Sequence, residues 1–442
     1  MAKSGNMPAM GSGLSELWAR LRFVLLAIVV YRTGAHIPVH GINPDQLAAL
    51  FREQQGTILG MFNMFSGGAL ERMSVLALGI MPYISASIIM QLMTAVSPHL
   101  EQLKKEGEAG RRKISQYTRY GTVILALVQA TGMSVGLASQ GIAYSADFSF
   151  YFTAIITFVS GAVFMMWLGE QITEKGIGNG ISLLIMIGIV ATLPQAFFQE
   201  LVTQLSPAGG GWIKFLLEIV AIYLVFLFAI AITQAVRQIP LEYAKRVAGG
   251  SSKTIGRSYL PIRVNASGVM PIIFAQALMF IPLTVVQYTG LEGAGATWMV
   301  DVFGNIQGFW YNFVFAMLIL VFTYFYTAIQ INTTQIADDL KRNGGFVPGI
   351  KPGEATGSYI DDVLAKITLP GAILLAAIAI LPSIAMTAGM NMQWAQFYGG
   401  TSLLIIVGVV LDTLMQVESY LLNSHYDGLM DGGRLSGRNN AL

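Results

Sequence analysis

The chain contains no cysteine and few charged residues, and each shortage excludes a class of protein. Without cysteine there are no disulfides, no thiolate metal sites and no cysteine nucleophile. Only 11% of the 442 residues are charged, whereas soluble domains carry roughly 25%. Hydrophobic residues make up 54% of the chain, so too little charge remains to cover a soluble surface of this size. These values predict an integral membrane protein, and we expect neither a metal site nor a cofactor.

The sequence also lacks the motifs of an intramembrane enzyme, because it has no HExxH and no GxSxG on an apolar stretch. A secondary transporter usually places several carboxylates near the middle of its spans. Here the ionisable residues inside apolar stretches are few, chiefly Arg32 and Asp412, with Glu218 near an edge. Asp412 either makes a hydrogen bond within the helix bundle or takes part in transport. The residues favour a passive pore, with a secondary transporter of a small solute as the alternative.

Long apolar stretches recur along the whole chain. A membrane-spanning helix needs about 20 mainly apolar residues. Ten stretches qualify, at approximately 21–40, 75–96, 121–139, 151–169, 181–199, 213–236, 266–288, 309–330, 367–387 and 399–420. We therefore predict ten transmembrane helices.

Lysine and arginine fall on one side of these predicted spans. The two termini and the segments after each even-numbered span hold 22 of the 26 basic residues, and the other 4 lie elsewhere. Basic residues collect in short cytoplasmic segments of membrane proteins. We therefore expect both termini in the cytoplasm, which requires an even number of spans.

A flexible segment, SPAGGGW at 206–212, divides the ten spans into two sets of five. We expect an amino-terminal half over 1–205, an external hinge at 206–212 and a carboxyl-terminal half over 213–442. If the halves are duplicates, an odd number of spans in each requires that they be inverted relative to one another.

Three other segments are unusual for a membrane protein with otherwise short connections. The outer segment before the second span ends in GMFNMFSGGALERMS at 60–74, which is apolar but too short to span. The cytoplasmic loops at about 237–265 and 331–366 are long, basic and glycine-containing. Their charge suits an acidic or RNA-rich partner surface.

The second span contains Pro82, preceded by Gly79 and followed by Ser85 and Ser87. Proline removes a backbone donor and kinks a helix, which lipid tolerates only where the freed carbonyl finds a partner. Two interpretations stay open. The segment is either an ordinary kinked span or a helix that lines a cavity, with Ile80 and Ile84 on one face.

Several long segments resemble one family in its own order. They are MFNMFSGGAL (61–70), ALGIMPYISASII (77–89), KKEGEAGRRKISQYTRYGT (104–122), MWLGEQITEKGIGNGIS (166–182), GVMPIIFA (268–275), GGFVPGIKPGEAT (344–356) and FYGGTSLLI (397–405). Runs of this length are far more specific than short motifs, and they cover most of the chain. On these segments the chain resembles the SecY/Sec61-alpha family.

This resemblance implies an all-α membrane protein whose ten transmembrane helices form two pseudo-symmetric inverted halves around an hourglass pore. The pore ring at the waist would consist of Ile80, Ile84, Ile185, Ile273 and Ile405. The plug that fills the outer funnel would include Met61, Phe62, Asn63, Met64, Phe65, Ser66, Gly67 and Gly68. A narrow aliphatic ring resists ion leakage by dewetting. It can still part around an extended polypeptide without binding one sequence.

The resemblance further implies a lateral gate between the second and third spans and the seventh and eighth, with Ser87 and Asn265 near the seam. The motor- or ribosome-binding loops would present Lys245, Arg246, Arg257, Lys341, Arg342 and Lys351. The implied partners are SecE and SecG as small membrane subunits, the SecA motor ATPase, the ribosome, and secretory or membrane-protein chains as substrates. The implied location is the bacterial cytoplasmic membrane, and the implied function is protein conduction, not enzymatic catalysis.

Three positions depart from the family pattern. Lys351 stands where the family usually has arginine, which keeps the charge but loses the planar bidentate fork. Gln234 and Gln238 stand where relatives often carry glutamate and arginine, so neutral amides replace a charge pair.

Overall fold

The computed structural model describes residues 12–53, 63, 66–206, 210–243, 258–289 and 294–432. Within these residues α-helices dominate, as the composition predicts. The first half of the chain contains α1 (Ser12–Gly34), α2 (Pro44–Glu53), α3 (Met81–Val96), α4 (Pro98–Lys105), α5 (Glu108–Ser139), α6 (Phe148–Lys175) and α7 (Gly180–Leu205). Five of them, α1, α3, α5, α6 and α7, correspond to the first five predicted spans.

The described residues of the second half form eight α-helices and a short sheet. The helices are α8 (Gly211–Gln234), α9 (Met270–Thr289), α10 (Ala294–Gly304), α11 (Phe309–Gln330), α12 (Thr333–Arg342), α13 (Glu354–Thr387), α14 (Met392–Ala395) and α15 (Gly400–Gly432), with a 3₁₀ turn at Gln396–Tyr398. The predicted spans six to ten correspond to α8, α9, α11, α13 and α15. The eighth prediction, 309–330, has the same bounds as α11.

Seven helical segments among the described residues are long and apolar enough to cross a membrane. They begin at the starts of α5, α6, α7, α8, α11, α13 and α15. The helices α1, α3 and α9 match the three remaining predicted spans but do not meet this criterion. The reason is clearest for α3, which has 16 residues, fewer than the roughly 20 needed to cross a bilayer. The fold is thus a multi-helix membrane bundle consistent with ten spans.

The prediction of a kink inside the second span is wrong, because the helix only begins there. Pro82 lies in the first turn of α3, where its missing N–H has no intrahelical partner to lose. The preceding residues 75–80 form turns, and Gly79 has a φ of 54°. Ile80 caps the helix, and its carbonyl accepts a hydrogen bond from the Ile84 N–H at 3.1 Å. The two isoleucines therefore keep the helical spacing that the sequence predicted.

The two long basic loops share a small antiparallel sheet that was not predicted from the sequence. Strand β1 (Val236–Tyr243) pairs with β2 (Ser258–Arg263) on one side and with β3 (Gly345–Phe346) on the other. Ile239 and Leu241 alternate with exposed residues on β1 and point into a core of their own with residues of α12 and α13. The two loops are thus one folded unit.

Glycine allows the non-helical segment before α3 to approach α6. A Cβ atom on Gly161 would clash with the carbonyl oxygen of Val75. The same α6 contributes Phe158 and Ala162 to an apolar cluster with Leu78 and with residues of α5. The backbone of Val75 is therefore fixed against a helix surface that has no side chain at this point.

We expect Gly161→Ala to unfold at lower temperature than the parent chain, because the added methyl group forces the two backbones apart. The matched control is Gly136→Ala on α5, where a Cβ atom meets nothing within 4 Å. At that helical position alanine should be neutral or stabilising by up to about 1 kcal/mol. Thermal unfolding of the chain in lipid nanodiscs measures both, and equal effects would contradict the close packing at Gly161.

Candidate functional site

The five isoleucines predicted for the pore ring lie in one apolar cluster. Ile80, Ile185 and Ile405 are buried within it, and Ile84 and Ile273 pack against it partly exposed. They come from four places in the chain: the start of α3, the helix α7, the helix α9 and the helix α15. The cluster also contains many other residues, so membership alone does not define a ring. The cluster nevertheless includes side chains up to 325 positions apart in sequence.

The described part of the predicted plug is held by hydrogen bonds of the Asn63 and Ser66 side chains. Asn63 accepts from the Glu71 N–H at 2.8 Å through its side-chain oxygen and donates to the Glu71 carboxylate at 3.0 Å. The Ser66 hydroxyl donates to the Asn63 carbonyl oxygen at 2.9 Å and accepts from the Leu70 N–H at 3.1 Å. These bonds attach Asn63 to the turn at 66–71. Met61, Phe62, Met64 and Phe65 lie outside the described residues.

Two side chains of α1 bind this turn, and neither was predicted to do so. The Tyr31 hydroxyl donates to the Ser66 carbonyl oxygen at 3.1 Å. The Arg32 guanidinium donates to the Gly67 carbonyl oxygen at 3.0 Å. The only signal in the sequence was that Arg32 is an ionisable residue inside an apolar stretch, which marks a functional position without naming its partner.

Gly67 fits this place because it has no side chain. Its φ is 65°, and a Cβ atom would lie 2.9 Å from the Arg32 guanidinium and 3.1 Å from the Cα atom of Gly188 on α7. Gly68 also has a positive φ, 81°, but a Cβ atom there would meet nothing within 4 Å. Gly67 is thus required by conformation and by space, whereas Gly68 is required by conformation alone.

A cavity of about 370 Å³ lies between the helices predicted to form the lateral gate. Its walls come from α3, α5, α9 and α11, and its polar lining includes Ser87, Gln91 and Tyr326. Lys104 and Arg111 add positive charge to the lining. Ser87 is therefore at the predicted seam. Asn265 is not among the described residues that line the cavity; it is buried in the turn before α9, where it accepts a hydrogen bond from the Ser267 hydroxyl at 3.4 Å.

One wall of this cavity is tied to the neighbouring helix by an ion pair. Arg119 on α5 lies 2.8 Å from the Glu170 carboxylate on α6. Because the arginine side chain is about half exposed, the pair stabilises the wall by no more than about 1 kcal/mol. The pair joins α5 to α6.

The predicted binding loops are only partly within the described residues. Lys341, Arg342 and Lys351 are exposed around the end of α12 and the start of α13. Lys245, Arg246 and Arg257 lie outside the described residues. Gln234 at the end of α8 and Gln238 on β1 are both exposed. Neither glutamine therefore replaces a charged residue at a buried position. Asp412 is also exposed, on α15.

Comparison with known proteins agrees over nearly the entire length of the chain. Residues 74–414 match the SecY family model. The protein translocase subunit SecY of Pseudomonas aeruginosa is 54% identical over 441 residues, which are 99% of this chain and 98% of the relative. The SecY subunit of Escherichia coli K12 is 45% identical over 431 residues, 96% of each chain.

Solved structures share the fold at low sequence identity. A protein-conducting channel superposes with a TM-score of 0.64 and 17% identity, over 96% of this chain and 95% of the other. A SecY protein studied for its plug domain gives a TM-score of 0.64 at 19% identity over the same shares. Sec61 from the canine ribosome-channel complex gives 0.63 at 17% identity, with the same coverage. The family model, the full-length relatives and the shared fold together establish that this chain is a multi-pass membrane protein and belongs to the SecY family.

Proposed function

We propose that the chain is the central protein-conducting subunit of a Sec translocon in the bacterial cytoplasmic membrane. Unfolded secretory polypeptides would cross through its waist, and helices of membrane proteins would leave sideways into lipid. The observation that carries this proposal is that Ile80, Ile185 and Ile405 lie in one apolar cluster. The chain that forms this cluster is related over nearly its full length to translocase subunits.

The waist of the proposed channel is the set of five isoleucines. Branched aliphatic side chains offer no hydrogen bonds to water, so a narrow constriction made of them dewets and blocks ions. The same side chains have no directional contacts to break when they separate. Ile84 and Ile273 are partly exposed, so they would be the first of the five to contact a passing polypeptide.

The outer side of this waist would be closed by the turn at 66–71. Its carbonyl groups rest on Tyr31 and Arg32 through two hydrogen bonds, of which the second is charge-assisted. Such bonds have a definite geometry, so they favour one seated position. They are also few, so a polypeptide that displaces the turn breaks few hydrogen bonds.

The lateral gate would be the seam occupied by the cavity between α3, α5, α9 and α11. An apolar cavity with a few polar groups suits a segment that is mainly hydrophobic. Ser87 lies in its wall, and Lys104 supplies positive charge. We infer that a signal segment or a membrane-protein helix would pass through this seam.

The partners act from the cytoplasmic side in this proposal. The sheet of β1, β2 and β3, with α12, would form a platform for the SecA motor or the ribosome, through Lys341, Arg342 and Lys351. The canine Sec61 neighbour is a channel from a ribosome complex, which supports a ribosome as one partner. SecE and SecG would be the small membrane subunits, and both termini would lie in the cytoplasm.

A secondary transporter and an enzyme are both less well supported. Asp412, the carboxylate that the sequence places inside an apolar stretch, is exposed on α15 and is not part of a buried site. Among the described residues no group of three or more His, Cys, Asp or Glu side chains is arranged to hold a metal ion. Chain conduction powered by a bound motor or by synthesis remains the proposal.

A photo-crosslinker at Ile84 tests the path of the polypeptide. In membranes that hold a stalled, half-exported secretory chain, we expect adducts at successive positions of that chain, because each passes the waist. The matched control is the same crosslinker at Ile89, which is on α3 but 48% exposed on its outer surface. Intact export of the chain without any adduct at Ile84 would remove the proposed path.

The seat of the plug is tested by alanine at two adjacent glycines. Both Gly67→Ala and Gly68→Ala force alanine into a left-handed conformation, at a cost of about 1 kcal/mol. Only Gly67→Ala also displaces Arg32 and Gly188, so it should raise the ion leak of the idle channel in vesicles more than Gly68→Ala. An equal leak from the two variants would contradict the contact of Gly67 with α1 and α7.

The cytoplasmic platform is tested by charge reversal at Arg342 and Lys351. We expect each reversal to glutamate to slow motor-dependent export about fivefold, since an exposed charge contact is worth at most about 1 kcal/mol. Lys175→Glu, which reverses an exposed charge at the end of α6 and outside the platform, serves as the control. Export rates in inverted vesicles give the readout, and normal rates in both platform variants would refute this binding surface.

A further inference from the structure

A buried polar cluster lies at the bend between α7 and α8, away from every residue assigned above. Glu200 and Gln204 belong to the last turns of α7, and Glu218 to the second turn of α8. Their exposed fractions are 0%, 1% and 2%. Charged side chains are almost never so fully buried unless they are paired. The ionisation state of the two glutamates therefore has to be explained.

The orientation of Gln204 shows that the two acids are neighbours. Its Oε1 accepts a hydrogen bond from the Gly210 N–H at 3.0 Å, so its NH₂ group faces the other way. That Nε2 lies 2.6 Å from Glu200 Oε1 and 3.2 Å from Glu218 Oε1. One amide nitrogen thus binds both carboxyl groups. Two like charges this close and this buried cannot both stay ionised without a large energetic cost.

The cluster also binds a segment from the far side of the sequence. Glu200 Oε2 accepts from the Asn391 N–H at 3.0 Å, and the Asn391 side chain donates to the Thr203 hydroxyl at 2.9 Å. The Tyr398 hydroxyl donates to the Glu218 carbonyl oxygen at 2.5 Å. Residues 391–398 are therefore attached to both helices of the bend through these groups.

One oxygen of the cluster has no partner. Oε2 of Glu218 is buried and makes no hydrogen bond with any described atom. The Glu218 carboxyl group is within hydrogen-bonding reach of Glu200. A proton held between the two acids would satisfy this oxygen, whereas a metal ion would have to compete with the N–H groups of Gln204 for the same oxygens.

The other titratable groups that act on the pair come from two elements. Lys214 on α8 exerts a favourable charge interaction on Glu218. On the 3₁₀ turn, burial raises the pKa of the Tyr398 phenol, so this group stays a hydrogen-bond donor. One lysine balances one negative charge, which leaves room for a single ionised carboxylate in the pair.

We propose that Glu200 and Glu218 share one proton and form a proton-dependent clasp that attaches residues 391–398 to the bend between α7 and α8. Loss of that proton to solvent base leaves two adjacent anions in a buried site. Their repulsion disrupts the contacts of Gln204 and releases Asn391 from Glu200. The clasp is thus closed at low pH and opens as the pH rises. Its consequence for separating the two halves of the channel rests on the function proposed above, but the proton site does not.

Spin labels measure the attachment directly, because the chain has no native cysteine to label. Val202→Cys on α7 and Ala388→Cys after α13 are both exposed positions on the two sides of the clasp. In the full chain in lipid nanodiscs, we expect the population with a longer label distance to grow from mildly acidic to alkaline pH. The ratio of open to closed clasp should change by up to about tenfold per pH unit, as for one lost proton.

Glu218→Gln should abolish this pH dependence and keep the clasp closed, because the amide mimics the protonated acid and donates to Glu200. Glu174→Gln, an exposed acid on α6, should leave it unchanged. Infrared titration of the unlabelled parent chain gives a readout that needs no variant to fold, namely loss of a protonated-carboxyl band at alkaline pH. A label distance that ignores pH, or a pH dependence that survives Glu218→Gln, would overturn the proposal. Neither readout involves transport, so their failure would leave the channel function standing.

Discussion

Backbone groups that lie among membrane-spanning helices have no water to bind, so every irregular segment there must find its partners within the protein. The stretch at 66–80 is such a segment. It is paired with the segment that follows α1, since the Val39 N–H donates to the Met73 carbonyl oxygen at 2.9 Å and the Val75 N–H to the Ile37 carbonyl oxygen at 2.9 Å. Gly161 then lets this paired backbone lie directly on α6. The start of α3, and with it the place of Ile80, follows from that attachment.

Two kinds of contact join the parts of the chain before and after the bend at 206–212, and they respond differently to motion. The isoleucine cluster is held by burial alone, which is non-directional and is not lost abruptly when side chains slide. The cluster around Glu200 and Gln204 is held by oriented hydrogen bonds, which either form or break. In the proposed channel, the isoleucine cluster suits a constriction that opens around any polypeptide sequence. The hydrogen-bonded cluster suits a fixed point about which the channel opens.

The sequence predicted the fold where one physical rule dominated, and failed where distant residues decided. Apolar length located the helices, and the bounds of 309–330 were correct because both ends of that stretch are sharp in hydropathy. The role predicted for Pro82 was wrong because proline is compatible with both a helix start and a kink. The segment before it is positioned by a distant residue, since the Val75 N–H donates to the Ile37 carbonyl oxygen. The sheet between β1 and β3 was missed because its partners are about 100 residues apart and its strands are short.

The candidate site was likewise predictable where a local rule applied and not where distant residues decided. Arg32 is the clearest case. Its position in an apolar stretch marked it as unusual, because an unpaired charge inside a membrane is costly. Its partner could not be predicted, since the Gly67 carbonyl oxygen lies 35 residues away and belongs to a glycine with a positive φ. In the proposed channel, the Arg32 guanidinium would lose this acceptor when the turn at 66–71 moves. The cost of leaving Arg32 without a partner would then favour the closed position, while the isoleucine cluster would form the seal.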